Sequence, residues 1–198
     1  MALLDLPLRE FLDEVGADGR TPGAGSAAAL VTAIAAGLLA KVARASGAAW
    51  PDAAGIVAQA ESLRSRSAPL VQAVADQYEA ALQARGQSGE GQGARLDFEL
   101  GQAYAKAAEP PLEIARTASD VAMLALTVAE NGDPALRADA VTAALFAAAA
   151  AKVGAELVAV NLTVSPDDPR ILEAALEAEG YERDPAVVEA LKVRFKSK

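Results

Sequence analysis

RTPGAGSAAALVTAIAAGLLAK, residues 20–41, sets a Gly- and Pro-containing loop directly against a long Ala-rich apolar run. Alanine is the strongest helix former, and its small side chain lets helix axes approach closely. The run predicts a buried helix that continues to about Ser46, with Ser26 placed to cap its start. Pro22, Gly23, Ala24 and Gly25 lead into that start. Glycine lets the backbone come close to a ligand there, and a helix N-terminus offers unpaired N–H groups and a positive dipole end. An anion or a polar heterocycle suits such a loop.

The same composition runs through the rest of the chain. Alanine supplies 51 of the 198 residues and aromatics only 4%. No segment alternates apolar and polar residues as a half-buried strand would; residues 158–164 come nearest, at the end of a strong helical pattern. The expected fold is therefore all-α, a single domain over residues 1–198 built as a bundle of long antiparallel helices. Leu8, Phe11, Leu12 and Val15 share one helical face before Gly16. After the breaker around Trp50-Pro51, a helical pattern runs to about Arg85, with a kink or break near Ala68 because Pro69 lies inside it. Residues 86–93 carry four glycines and no apolar anchor, which predicts a loop. Helices are expected over about 95–108 and 112–130. The Asn131-Gly132-Asp133-Pro134 turn signal then leads into a helix reaching about Leu162. Two shorter charged helices, about 170–179 and 185–196, form a C-terminal extension over 166–198. Small-residue faces this extensive also suit close contact between subunits, so a homodimer is expected.

Charge and composition exclude whole classes of function. The net charge of −9 leaves no basic stripe to neutralise phosphates, so nucleic acid is not an expected partner. With no cysteine and no histidine there are no disulfides, no thiolate or imidazole metal ligands and no imidazole base. Proton transfer falls to Asp, Glu, Lys or Tyr. The apolar runs 27–40 and 140–151 are each shorter than the ~20 residues of a membrane span, and the N-terminus lacks the apolar core of a signal peptide. The expected setting is soluble and cytoplasmic.

Three segments in order resemble the cyclodeaminase/cyclohydrolase family, which comprises the cyclodeaminase part of formiminotransferase-cyclodeaminase and the stand-alone methenyltetrahydrofolate cyclohydrolases. Residues 21–30, TPGAGSAAAL, are similar to the family's T-P-G-G-G-S-x-A-A-L opening. Gly132-Asp133-Pro134 with Ala138-Asp139-Ala140 resembles its G-N-P turn and S/A-D-A helix start. Val160-Asn161-Leu162 resembles the N-L ending of the same helix. The likeness spans residues 20–162. It implies an all-helical, dimeric protein that binds a reduced folate and needs no metal or redox cofactor. The implied reaction is hydrolysis of 5,10-methenyltetrahydrofolate to formyltetrahydrofolate. Formiminotetrahydrofolate cyclodeaminase and a non-catalytic folate-binding or scaffold relative are the alternatives. The cyclohydrolase is preferred because no formiminotransferase domain is fused to the chain.

Both reactions pass through an amidinium-like carbon that needs a proton acceptor and stabilising dipoles, work a carboxylate can do. By resemblance Asp76 is the candidate general base, with Tyr78 and Glu79 as stand-ins; Leu82 stands where the family has an aromatic and Tyr78 where a second acid often lies. Pro22, Gly23, Ala24, Gly25, Ser26, Asp139 and Asn161 are the candidate substrate-binding residues. Ala24 replaces the family's middle glycine. The family's basic stretch after Ser46 is Gly47-Ala48-Ala49-Trp50 here, so basic groups for a folate tail are sought at Lys41, Arg44, Arg85 or Arg95.

Overall fold

The computed structural model describes residues 1–87 and 94–180. The expected loop over 86–93 lies mostly outside them, and the expected helix over 185–196 lies wholly outside. Among the described residues there is no strand, and the all-α expectation holds. The helices are α1 (Leu8–Val15), α2 (Ala24–Ser46), α3 (Ala53–Ser67), α4 (Leu70–Gln87), α5 (Ala94–Ala107), α6 (Glu109–Asn131), α7 (Arg137–Asn161) and α8 (Pro169–Glu179), with 3-10 turns at Leu3–Asp5 and Pro134–Leu136.

Most boundaries follow from local chemistry. Pro69 ends the 3.6-residue pattern as its missing N–H requires, so α3 and α4 are separate helices with the break at Ala68. Pro110 and Pro111 sit in the first turn of α6, where their lost donors have no intrahelical partner to lose. Asp133 caps the short turn before α7, its side chain accepting from Ala135 N at 2.9 Å, and Asp168 caps α8 through Arg170 N at 3.0 Å.

α2, α6 and α7 form the centre. Gly25 near the start of α2 lies against Leu157 near the end of α7, while Lys41 pairs with Asp139 at the opposite ends, so these two helices are antiparallel. α6 and α7 are antiparallel as well, since Gly154 touches Pro111 and Ala115. α3 lies along α2 and α6, α4 packs beside the start of α2, and α8 rests on α6 and α7. Alanine makes this arrangement possible: Ala35, Ala36 and Ala43 of α2, Ala115, Ala118 and Ala125 of α6, and Ala143, Ala147 and Ala151 of α7 are fully buried. Small side chains bring the axes close and leave dispersion contact along whole helices to supply the cohesion.

Three expectations are corrected. Ser26 does not cap α2; the N-cap is Gly23, and the Ser26 hydroxyl, buried inside the first turn, donates to Val71 O at 2.8 Å and ties α2 to α4. On α1 only Phe11 is buried, while Leu8 and Leu12 stay 68% and 60% exposed, and Leu3 and Leu6 of the preceding segment pack against the Phe11 cluster. The helices containing the two apolar runs are longer than the runs: Ala24–Ser46 and the continuous stretch Pro134–Asn161 are long and apolar enough to cross a membrane by length and composition. Here they pack on each other and on α6, with 56% and 44% of their most apolar windows buried, as core helices do.

Candidate functional site

The start of α2, the middle of α4 and the end of α7 meet around a cavity of about 230 Å³. The 20–26 loop and first turn of α2 contribute Arg20, Thr21, Gly23, Ala24, Gly25 and Ser26. α4 adds Val74, Ala75 and Tyr78, α7 adds Leu157, Val160 and Asn161, and Ala107 closes the wall. Two of the three sequence motifs, separated by more than a hundred residues, therefore face one space.

The first intrahelical bond of α2 is Ala27 N to Gly23 O at 3.0 Å, so the N–H groups of Ala24, Gly25 and Ser26 have no acceptor within the helix. No side chain caps them and no acidic residue stands in the first turn. Arg20, exposed and without an ion-pair partner among the described residues, is part of the same lining. Hydrogen-bond donors are thus gathered on one wall, while Leu157, Val160 and Val74 make the other apolar. Asn161 is buried at the end of α7; its amide N–H donates to Ala107 O at 3.2 Å, and this fixes the side chain at the cavity wall. Pro22 is buried beneath the loop and follows a cis peptide bond.

Gly25 serves packing. A Cβ there would stand 2.5 Å from Val74 Cγ2 and 3.3 Å from Leu157 Cδ1, so the missing side chain lets α2 seat between α4 and α7. Ala24, the departure from a triple glycine, is exposed in ordinary helical geometry, and its methyl group is accommodated without a left-handed backbone.

The other sequence candidates lie elsewhere. Asp76 is exposed and accepts a hydrogen bond from Gln72 Nε2 at 2.7 Å; Gln72 in turn accepts from Leu3 N, so this face of α4 belongs to the N-terminal segment and not to the cavity lining. Asp139 is paired with Lys41 at 2.6 Å, about 25 Å from the start of α2 along its axis. The second motif marks that far end of the bundle, where Asp133 N donates to Ser46 Oγ at 2.8 Å. Tyr78, named in the sequence only as a stand-in, is the titratable residue that α4 turns toward the cavity. Leu157 and Val160 were not anticipated as lining, although Leu157 stands three residues before Val160 and four before Asn161, spacings that put each of them next to Leu157 on the helix surface. A larger groove of about 500 Å³ between α3 and α6, with Gln59, Asp120 and Met123 in its walls, carries none of the motif residues.

Residues 7–179 match the family model described as formiminotransferase-cyclodeaminase. Among solved structures, the crystal structure of formiminotetrahydrofolate cyclodeaminase from Thermotoga maritima is similar, with 27% sequence identity, a TM-score of 0.80, and 96% of this chain and 97% of that chain covered. No curated protein matches the sequence. With the family model spanning most of its length and the motif-lined cavity in place, the chain belongs to the formiminotransferase-cyclodeaminase family.

Proposed function

We propose that this protein is an enzyme of folate one-carbon metabolism that hydrolyses 5,10-methenyltetrahydrofolate to formyltetrahydrofolate in the cavity at the start of α2. The observation that carries the reading is the convergence of the first and third motifs on one cavity with a polar, uncapped helix start facing an apolar wall. A bicyclic pterin needs such a pairing: flat apolar contact for its ring and hydrogen-bonding groups for its edge. At about 230 Å³ the cavity lies below the usual ~300–1,000 Å³ of a whole-ligand site, which fits a ring held inside and a tail running outward past Arg20. The reaction needs no metal or redox cofactor in this reading; developing charge is met by helix N–H groups and by a proton acceptor.

Formiminotetrahydrofolate cyclodeaminase is the second reading, favoured by the name of the similar Thermotoga maritima structure. One experiment separates the two. Purified protein is given 5,10-methenyltetrahydrofolate, with loss of the methenyl absorbance recorded, and formiminotetrahydrofolate, with ammonia release recorded. Accelerated decay of the first without ammonia from the second supports hydrolysis. The reverse makes it a cyclodeaminase, and the absence of both responses refutes a folate enzyme.

The proposed assembly is a cytoplasmic homodimer. Ile34 on α2 and Leu145 and Phe146 on α7 keep 46%, 52% and 42% exposure on two of the three central helices, apolar surface that a second copy would cover. A monomeric mass by light scattering would refute it.

A further inference from the structure

Among the described residues, none of the side chains lining the cavity is a carboxylate, and the sequence contains neither histidine nor cysteine. The described polar side chains of the lining beyond the loop include the Arg20 guanidinium, which carries donors and no acceptor, and the Tyr78 phenol. Asp76, the acid singled out by sequence, is turned toward Gln72. Among the described residues one hydrogen bond links the lining to a carboxylate: Thr21, a lining residue, donates its hydroxyl to Glu79 Oε1 at 3.2 Å.

A hydroxyl carries one proton and two lone pairs. With its proton committed to Glu79, Thr21 Oγ1 is left as an acceptor, and an acceptor at the cavity wall is what a water needs when it attacks an electrophilic carbon. Glu79 lies one residue beyond Tyr78 on α4, and Thr21 lies two residues before Gly23, the N-cap of α2. The contact between α2 and α4, set by Gly25 on Val74 and by the Ser26 bond to Val71, brings the two together across 58 residues of chain.

We propose that Thr21 and Glu79 form the proton path of this site, Thr21 touching the attacking water and Glu79 acting through it. The inference rests on the folate reading above. As water oxygen bonds to the methenyl carbon, a water proton passes to Thr21 Oγ1 while the Thr21 proton passes to Glu79. The neutral tetrahedral adduct then collapses: the carbon–nitrogen bond to one ring nitrogen breaks, its electron pair stays on nitrogen, the adduct hydroxyl becomes the formyl carbonyl, and that hydroxyl proton ends on the nitrogen. The proton held by Glu79 leaves to solvent. One water is consumed and one proton released. The Glu79 carboxylate also places negative charge near a cationic substrate, which favours the attack.

The test follows loss of methenyl absorbance with purified wild type, Glu79→Gln, Thr21→Val, Thr21→Ser, Asp76→Asn and Tyr78→Phe. Removal of a general base typically costs 10²–10⁴-fold in rate, so Glu79→Gln and Thr21→Val are expected to lose kcat by that order with KM little changed, and Thr21→Ser to recover most of the rate lost in Thr21→Val. Glu79 is exposed, so its glutamine variant is expected to fold even where Thr21→Val does not. Wild-type kcat in Glu79→Gln overturns the proposal. So does a loss confined to Asp76→Asn or to Tyr78→Phe, which hands the role to that residue, and so does Thr21→Ser as slow as Thr21→Val, which makes the turn rather than the hydroxyl responsible. A wild type inert toward both folates removes the folate reading itself, a result distinct from an active wild type with an active Glu79→Gln.

Discussion

Gly154→Ala is expected to destabilise the protein although it replaces the poorest ordinary helix former with the best. Gly154 sits inside α7 where that helix crosses α6. An added Cβ would lie 2.8 Å from both Ala115 N and Pro111 O and 3.1 Å from Ala115 Cα. These are backbone atoms, so no side chain can rotate away. Restoring an ordinary contact near 3.4 Å requires α6 and α7 to part by about 0.6 Å, and a gap of that size forfeits a quarter to a half of each dispersion contact it opens. The neighbours affected are fully buried alanines, Ala118 and Ala151 among them. Overpacking typically costs about 1–3 kcal/mol, and a backbone-on-backbone clash falls at the upper end. The gain in helix propensity offsets about 1 kcal/mol. A net loss of ~2 kcal/mol lowers the melting midpoint of a protein this size by ~4–8 °C. The control is Gly101→Ala in α5, whose Cβ would meet nothing within 4 Å; it is expected to gain ~0.5–1 kcal/mol. Urea and thermal unfolding followed by circular dichroism read both. A Gly154→Ala midpoint at or above wild type, or the same sign for both variants, would refute a glycine-dependent crossing.

Two further outcomes can be checked with similar means. Hydrogen bonds from the Arg170 side chain and backbone hold the Asp168 carboxyl at about 2, below its ordinary 3.8, so its contribution is present above about pH 4 and is lost as pH falls toward 2. It amounts to at most about 2 kcal/mol, and the stability gap between wild type and Asp168→Asn should narrow over that window; a gap independent of pH would contradict it. Arg20→Gln should raise KM for a folate about tenfold with kcat retained, the effect of one charge-assisted hydrogen bond at a partly exposed site, and an unchanged KM would remove Arg20 from the binding surface.

The helices were legible because their determinants are local. Ala-rich composition, Pro69, Pro110 and Pro111, and the Asp133 and Asp168 caps act on the chain within a turn or two, and α2, α6, α7 and α8 begin and end near where those residues place them. The family was legible for a related reason, since the T-P-G-A-G-S loop and the Val160-Asn161-Leu162 ending each keep their residues contiguous. Which residues share a cavity was not. Successive residues on a helix turn by about 100°, so Asp76 and Tyr78 point some 160° apart, and composition cannot say which of those directions meets α2 and α7. Asp139 likewise opens α7 with helix-start chemistry that is correct locally, but an antiparallel helix ~37 Å long carries it to the opposite end of the bundle from Asn161. Ser26 shows the same division at one position: the sequence placed a hydroxyl at the helix start, and only the approach of α4 supplied the Val71 carbonyl to which it donates. The sequence by itself determined what the helices are and which family they belong to; tertiary packing decided which faces meet, because rotation about a helix axis and contact across 58 residues are set by neighbours that local sequence does not contain.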